Sequence, residues 1–159
     1  MYFERTPGKF QAMKIAMCEA QNWRCCYCKF IVKIVFGRSN EQNAATIEHI
    51  IPRAKGGGDE DKNLVIACNL CNVVRNHANP YRFERTIQKL LTVPAIYDAW
   101  HRFTPEQVSL LRLEIEFGAL MEKMQKRNRG LYTSPIYKSM MHQRTAALKK
   151  LHQNKSLSR

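Results

Sequence analysis

The sequence has no apolar run approaching the length that crosses a bilayer, and its start, MYFERTPGKFQ, lacks the apolar core of a signal peptide. These shortages set aside a membrane-spanning role and a secretory route, so a cytoplasmic, intracellular protein with reduced cysteines is expected. Internal repeats and low-complexity tracts are also missing, which leaves no basis for a solenoid or a disordered linker. Carboxylates are few beside the cations: 13 Asp and Glu face 26 Lys and Arg, giving a net charge of +13 and a pI near 9.7. The shortage is local. Residues 123–159 hold ten Lys or Arg and no Asp or Glu, whereas residues 1–122 are nearly balanced. Such a balance points to a polyanionic partner, nucleic acid above all, and not to a membrane. By itself the basic block could be a solvated helix face, a frayed tail, a grip on phosphates or, more weakly, a membrane-surface contact.

What is present begins with cysteine. Four of the six cysteines form two C-x-x-C pairs, Cys25/Cys28 and Cys68/Cys71. Two thiolates two residues apart can bind one ion from a single turn, and two such turns complete the four-sulfur tetrahedron that Zn2+ favours. A structural Zn2+ site is therefore expected, with two chance pairs or two disulfides as the competing readings. Cys26 lies inside the first pair and could compete as a ligand, while Cys18 on a helix reads as a small buried hydrophobe. The 39 residues between Cys28 and Cys68 exceed a minimal zinc ribbon and carry Glu48, His49 and Asn63.

At 159 residues the chain is one domain of ordinary size with a helical extension. Thr6 caps a helix with Pro7 at its first position, and Phe10, Met13, Met17 and Ala20 recur at helical spacing up to Trp23. FIVKIVF (30–36) reads as a short strand and residues 37–43 as a polar turn. Residues 44–51 and 63–67 form a hairpin around a flexible loop, 52–61, containing Gly56, Gly57 and Gly58. A short helix starting at Cys68 ends near Asn79-Pro80. Two longer helices follow. Thr104-Pro105-Glu106-Gln107 opens one with a capping box, and Val108, Leu110, Leu111, Leu113, Ile115, Phe117, Leu120 and Met124 give it a broad apolar face. Ser134-Pro135 opens the other, with Ile136, Met140, Ala147, Leu148 and Leu151 on one side, facing the core or a second subunit in a homodimer.

The strings C-x-Y-C, EHIIPRAKGG and NLVIACNLCN, followed by Arg75, resemble the HNH endonuclease superfamily, the ββα-metal nucleases with a zinc knuckle. The resemblance covers about residues 23–80 and rests on four elements in the right order. It implies a ββα-metal (HNH) unit with a four-cysteine zinc site over 23–80; with the N-terminal helix over 1–22 and the basic helical extension over 81–159 read from the local signals, the expected fold is α+β. It implies a DNA endonuclease, from a phage, a restriction system or a mobile element in a prokaryotic or phage-infected host. His49 would be the base that deprotonates water, Glu48 and Asn72 the ligands of a catalytic Mg2+ or Mn2+, and Asn63 the residue that orients His49 or its loop. The products implied are 5′-phosphate and 3′-hydroxyl ends of double-stranded DNA. Imidazole chemistry near neutral pH and the hard oxygens of Glu and Asn suit these roles. Glu48 replaces the more frequent Asp, which lengthens the reach to metal by one methylene, and Asn72 stands where many members have His.

Arg53, Lys55, Arg75 and His77 lie near the site in sequence and would contact DNA phosphates, as would the basic tail. His77 could instead add a metal ligand. His101, His142 and His152 carry no signal. The alternative class is a catalytically weak, zinc-stabilised nucleic-acid-binding module that kept the fold without its activity.

Overall fold

Two hydrogen-bonded strands are all the regular sheet in the computed structural model, which describes residues 8–37, 39–76, 78–127 and 135–153. The chain divides into two units, Met1–Val73 and Val74–Arg159. Among the described residues no helix is long and apolar enough to cross a membrane.

In the first unit, α1 (Lys9–Ala20) precedes the antiparallel hairpin of β1 (Ala45–His49) and β2 (Leu64–Cys68), after which α2 (Asn69–Arg75) begins. The expected strands are thus found within one or two residues of their sequence bounds. Thr46 faces Ala67, Ile47 faces Ile66, and Glu48 faces Val65. A hairpin of two strands is marginal alone, and here both edges are covered. The N–H of Ile66 donates to Gln21 Oε1 at 2.7 Å, while Ile66 O accepts from Gln21 Nε2 at 3.1 Å and from the Cys26 N–H at 2.9 Å. On the other side the Ala45 N–H donates to Lys33 O at 2.8 Å. Cys18, Val32, Ile66, Ala67 and Leu70 fill the core between these elements.

Two expectations for this unit are corrected. Residues 30–36 do not form a strand: they make two isolated bridges, Arg24 with Ile31 and Lys33 with Ala44. The partner changes from the first cysteine turn to the start of β1 within two residues, so no ladder can propagate. The α1 face is also rotated. Phe10 is 62% exposed, Met13 is exposed, and the buried positions are Lys14 and Cys18, four residues apart on one side. Aliphatic spacing misleads here because the buried side is set by Cys18 under the hairpin and by the Gln21 amide on β2. Burial raises the Cys18 thiol pKa. The Thr6-Pro7 cap lies outside the described residues.

The second unit is helical: α3 (Pro80–Leu91), α4 (Pro94–Ala99), α5 (Pro105–Arg127) and α6 (Pro135–Gln153). Sequence reasoning missed α3 and α4. It took Asn79-Pro80 as the end of a helix, and the pair is also a start, since Asn79 Oδ1 accepts from the Arg82 N–H and Pro80 sits in the first turn. Phe83, Ile87, Ile96, Trp100 and Phe103 are buried in this unit with Leu111 and Ile115 of α5. Trp100 and Phe103 meet edge to face, 5.5 Å between centroids. The apolar face of α5 is narrower than expected, as Leu113 is 57% exposed. α6 contacts α5, and Arg144 grips Glu114 with Nε 2.8 and 2.9 Å from the two carboxylate oxygens. The side chains of Ile136, Met140, Ala147, Leu148, Leu151 and Met124 lie outside the described residues.

The capping box at α5 is reciprocal: the Thr104 N–H donates to Gln107 Oε1 at 2.8 Å and the Gln107 N–H to Thr104 Oγ1 at 3.3 Å. Replacing Thr104 by Ala should lower stability by about 1 kcal/mol, and Thr104→Asp should restore most of it. Urea unfolding followed by circular dichroism measures both; equal midpoints for the parent and Thr104→Ala would remove the cap's role.

Candidate functional site

The two cysteine pairs meet at the open end of the hairpin, where Ala45 faces Cys68. Cys25 and Cys28 sit in the turn after α1, and Cys68 and Cys71 straddle the junction of β2 and α2. All four are buried, and their sulfurs lie within 4.8 Å of one another. The Cys28 and Cys68 sulfurs are 3.8 Å apart. A disulfide needs about 2.05 Å, whereas a tetrahedron with metal–sulfur bonds of about 2.3 Å has edges of about 3.8 Å. The set therefore fits Zn2+ and is not oxidised. Backbone N–H groups already point at the sulfurs, from Tyr27 to Cys25 and from Cys71 to Cys68, each at 3.4 Å, which is the outer-shell support thiolates need. Cys26 is not in the four-sulfur group. Burial opposes ionisation of Cys25, but hydrogen bonds from Cys26 and the other three thiols outweigh it and hold Cys25 low, while Cys71 is pushed up chiefly by burial. Crowded thiols of this kind compete for protons and donors, and a cation relieves that conflict.

The rest of the site hangs on the hairpin that these thiols pin. Glu48 and His49 are consecutive on β1, so they point to opposite faces of the strand. Glu48 is 6% exposed and shares its face with Thr46. Asn72, on α2, reaches Thr46: its Nδ2 donates to Thr46 Oγ1 at 3.2 Å, and that hydroxyl donates to Ala67 O at 3.0 Å. Because the single hydroxyl proton goes to Ala67, Thr46 must accept from the Asn72 NH2 group. The amide oxygen is then the atom Asn72 can offer to a cation. That oxygen and the Glu48 carboxylate are hard donors of the kind Mg2+ or Mn2+ takes.

His49 closes β1 with its side chain 23% exposed, and its Nε2 lies 2.7 Å from Asp59 Oδ1. Arg53 holds the same carboxylate, with Nη2 2.7 Å from both oxygens. The bond from His49, then that from Arg53, lowers the Asp59 pKa, so the carboxylate stays ionised at neutral pH. Sequence reasoning overlooked Asp59. The only cue was an acid ten residues after His49 in the same loop, and the contact depends on how that loop folds back.

Asn63 holds the loop in that shape. Its Oδ1 accepts from the Ile51 N–H at 2.8 Å, and its Nδ2 donates to Ile51 O at 3.1 Å and to Gly58 O at 2.8 Å. A β-carbon at Gly57 would sit 1.8 Å from Ile51 O and 2.9 Å from Asn63 Nδ2. Gly56, at φ +84°, turns the chain after the short helical turn Arg53–Lys55. The loop expected to be flexible is thus tied by side-chain and backbone hydrogen bonds.

The remaining candidates are placed as follows. Lys55 is exposed on that turn. Arg75, in the second unit, is buried and donates to Ala78 O at 3.1 Å. His77 lies outside the described residues.

Among protein families, residues 25–78 match the model described as HNH endonuclease, which takes in both cysteine pairs, β1, the tied loop, β2 and α2. Neither the curated proteins nor the solved structures contain a match to the chain.

Two measurements check this geometry. Purified protein should carry one Zn2+ per chain by native mass spectrometry, and Cys25→Ser or Cys68→Ser should leave it poorly folded, since metal binding here is folding free energy; a metal-free chain with full ellipticity would refute the centre. Gly57→Ala should cost roughly 1–3 kcal/mol, because it displaces Ile51 and the Asn63 amide together. A melting curve unchanged by that substitution would show that the loop is not tied as described.

Proposed function

We propose that residues 25–78 form a metal-dependent endonuclease centre that hydrolyses phosphodiester bonds in DNA, with His49 as general base. The observation that supports this most is the Asn72–Thr46–Ala67 hydrogen-bond chain, which draws the amide of α2 to the face of β1 that carries Glu48, one residue from His49. Neighbouring strand residues point apart. A phosphate lying over the end of β1 would therefore meet Glu48 and Asn72 from one side and His49 from the other, as an in-line displacement requires.

In this reading Glu48 and Asn72 would hold one Mg2+ or Mn2+, which would supply charge neutralisation at the phosphate and the leaving 3′ oxygen. His49 takes the proton from the attacking water. The Asp59 carboxylate 2.7 Å from Nε2 stabilises the imidazolium that results. Asn63 acts at one remove, by keeping Asp59 and the 51–58 loop in register with the end of β1. The products are 5′-phosphate and 3′-hydroxyl ends. Lys55 and His77 are proposed as phosphate contacts; Arg75, buried and bonded to Ala78 O, is not. Arg53 joins them once it exchanges Asp59 for a phosphate, an exchange between two anions for one guanidinium.

A second reading is a zinc-stabilised nucleic-acid-binding module with weak or no catalysis. What favours it is that Nε2 of His49 is already engaged by Asp59. Plasmid nicking with added Mg2+ separates the two. The parent should nick, His49→Ala should lose at least ~100-fold in rate while keeping zinc and DNA binding, and Glu48→Ala or Asn72→Ala should raise the Mg2+ concentration needed. Equal nicking by the parent and His49→Ala would remove His49 as the base, and no nicking by the parent would favour the binding module.

A further inference from the structure

We infer that the helical second unit carries a phosphate-backbone site of its own, a cleft along α3 that docks one strand of duplex DNA. The inference rests on the nuclease reading for its choice of polyanion, and names a site that the nuclease centre does not contain. The cleft, about 550 Å³, is lined on one side by Arg82, Arg85, Thr86 and Lys89 of α3 and elsewhere by Glu114 and Arg144, with Leu90, Val93 and Ile96 adding an apolar part.

Its chemistry follows from helical spacing. At 3.6 residues per turn, Arg82, Arg85, Thr86 and Lys89 fall within an arc of ~100° on α3. The buried Phe83 and Ile87 lie to one side of that arc, and the one acid of the helix, Glu84, lies on the opposite face. The stripe thus carries three cations and a threonine over two turns and no acid. It runs ~10 Å from Arg82 to Lys89 at ~1.5 Å per residue, about three nucleotide steps of one strand at ~3.4 Å each.

The charge in the cleft is also available. Its single acid, Glu114, is matched by Arg144, whose Nη2 is 2.6 Å from Oε1. Among the described residues neither Arg85 nor Lys89 has a carboxylate partner, and both are exposed. Thr86 uses its hydroxyl proton on Arg82 O at 3.0 Å, so the donors facing a ligand are the cations. On the wall formed by α5 stands Gly118, in a helix interior where Ala is favoured by about 1 kcal/mol. A β-carbon there would touch nothing within 4 Å, so packing does not demand the glycine. It leaves the cleft wide.

The test is binding without cleavage. Fluorescence anisotropy of a labelled duplex is followed over a salt series with the full chain and no added Mg2+, comparing the parent with Arg85→Gln/Lys89→Gln. Both positions are exposed, so the fold is kept, and the loss of two phosphate contacts should flatten the slope of log K against log salt by ~1.8, at ~0.9 per contact. A control of equal charge change, Lys9→Gln/Lys62→Gln, also at exposed positions, should leave the slope within ~0.5 of the parent. An unchanged slope in the α3 variant would overturn the inference, as would an equal loss in the control. Displacement of the duplex by a free mononucleotide at equal phosphate concentration would overturn it too, by showing a pocket for a small ligand. None of these readouts involves the rate of nicking, so the site can fail while the nuclease reading stands, and the reverse.

Discussion

Four sulfurs within 4.8 Å, buried where an unscreened negative charge cannot persist, are the constraint on which the first unit depends. They join two turns 39 residues apart in sequence. A cross-link over a loop of that length removes about 4 kcal/mol of unfolded-chain freedom by the loop-entropy estimate. Everything that resembles a reaction centre lies inside that loop or directly after it, on a sheet of two strands that few other contacts would sustain. A metal held by these thiols would act on the proposed chemistry at a distance, by fixing where β1 ends relative to α2.

Within that frame the loop after β1 is built in tiers. Gly57 lets the chain pass against Ile51, Asn63 ties both strands of the loop, and only then can Asp59 reach His49 and Arg53. The side chain nearest to the proposed proton transfer is thus the last to be positioned. Changes at Gly57 or Asn63 act on His49 without touching it.

The hairpin, the zinc pairs and the cap of α5 were legible in sequence because each is encoded locally, by alternation, by a two-residue spacing or by Thr and Gln three residues apart. The buried face of α1 was not, because Lys14 is buried and Phe10 exposed for reasons that lie in the Gln21 contact to β2, 45 residues away. Residues 30–36 have strand composition but change partners after two residues, which composition cannot express. Asp59 was hidden for the same kind of reason: an acid in a glycine-rich loop has no recognisable spacing to a histidine until the loop is folded. Asn79 carried a readable signal for α3, and only its role as a terminator was read.

The Gln21 side chain has a consequence for solution behaviour. Its amide presents one donor and one acceptor to Ile66, the same pair that a neighbouring strand would present, and Cys26 adds a second donor to the same carbonyl. An exposed edge at that point would invite another copy of the hairpin to pair with it, the usual first step of β-mediated association. A side-chain amide that imitates backbone fills the vacancy from within the chain, so this small sheet ends where it does by internal substitution and not by charge or proline. A glutamine of this kind, placed directly after α1, does for the sheet edge what a further strand would do.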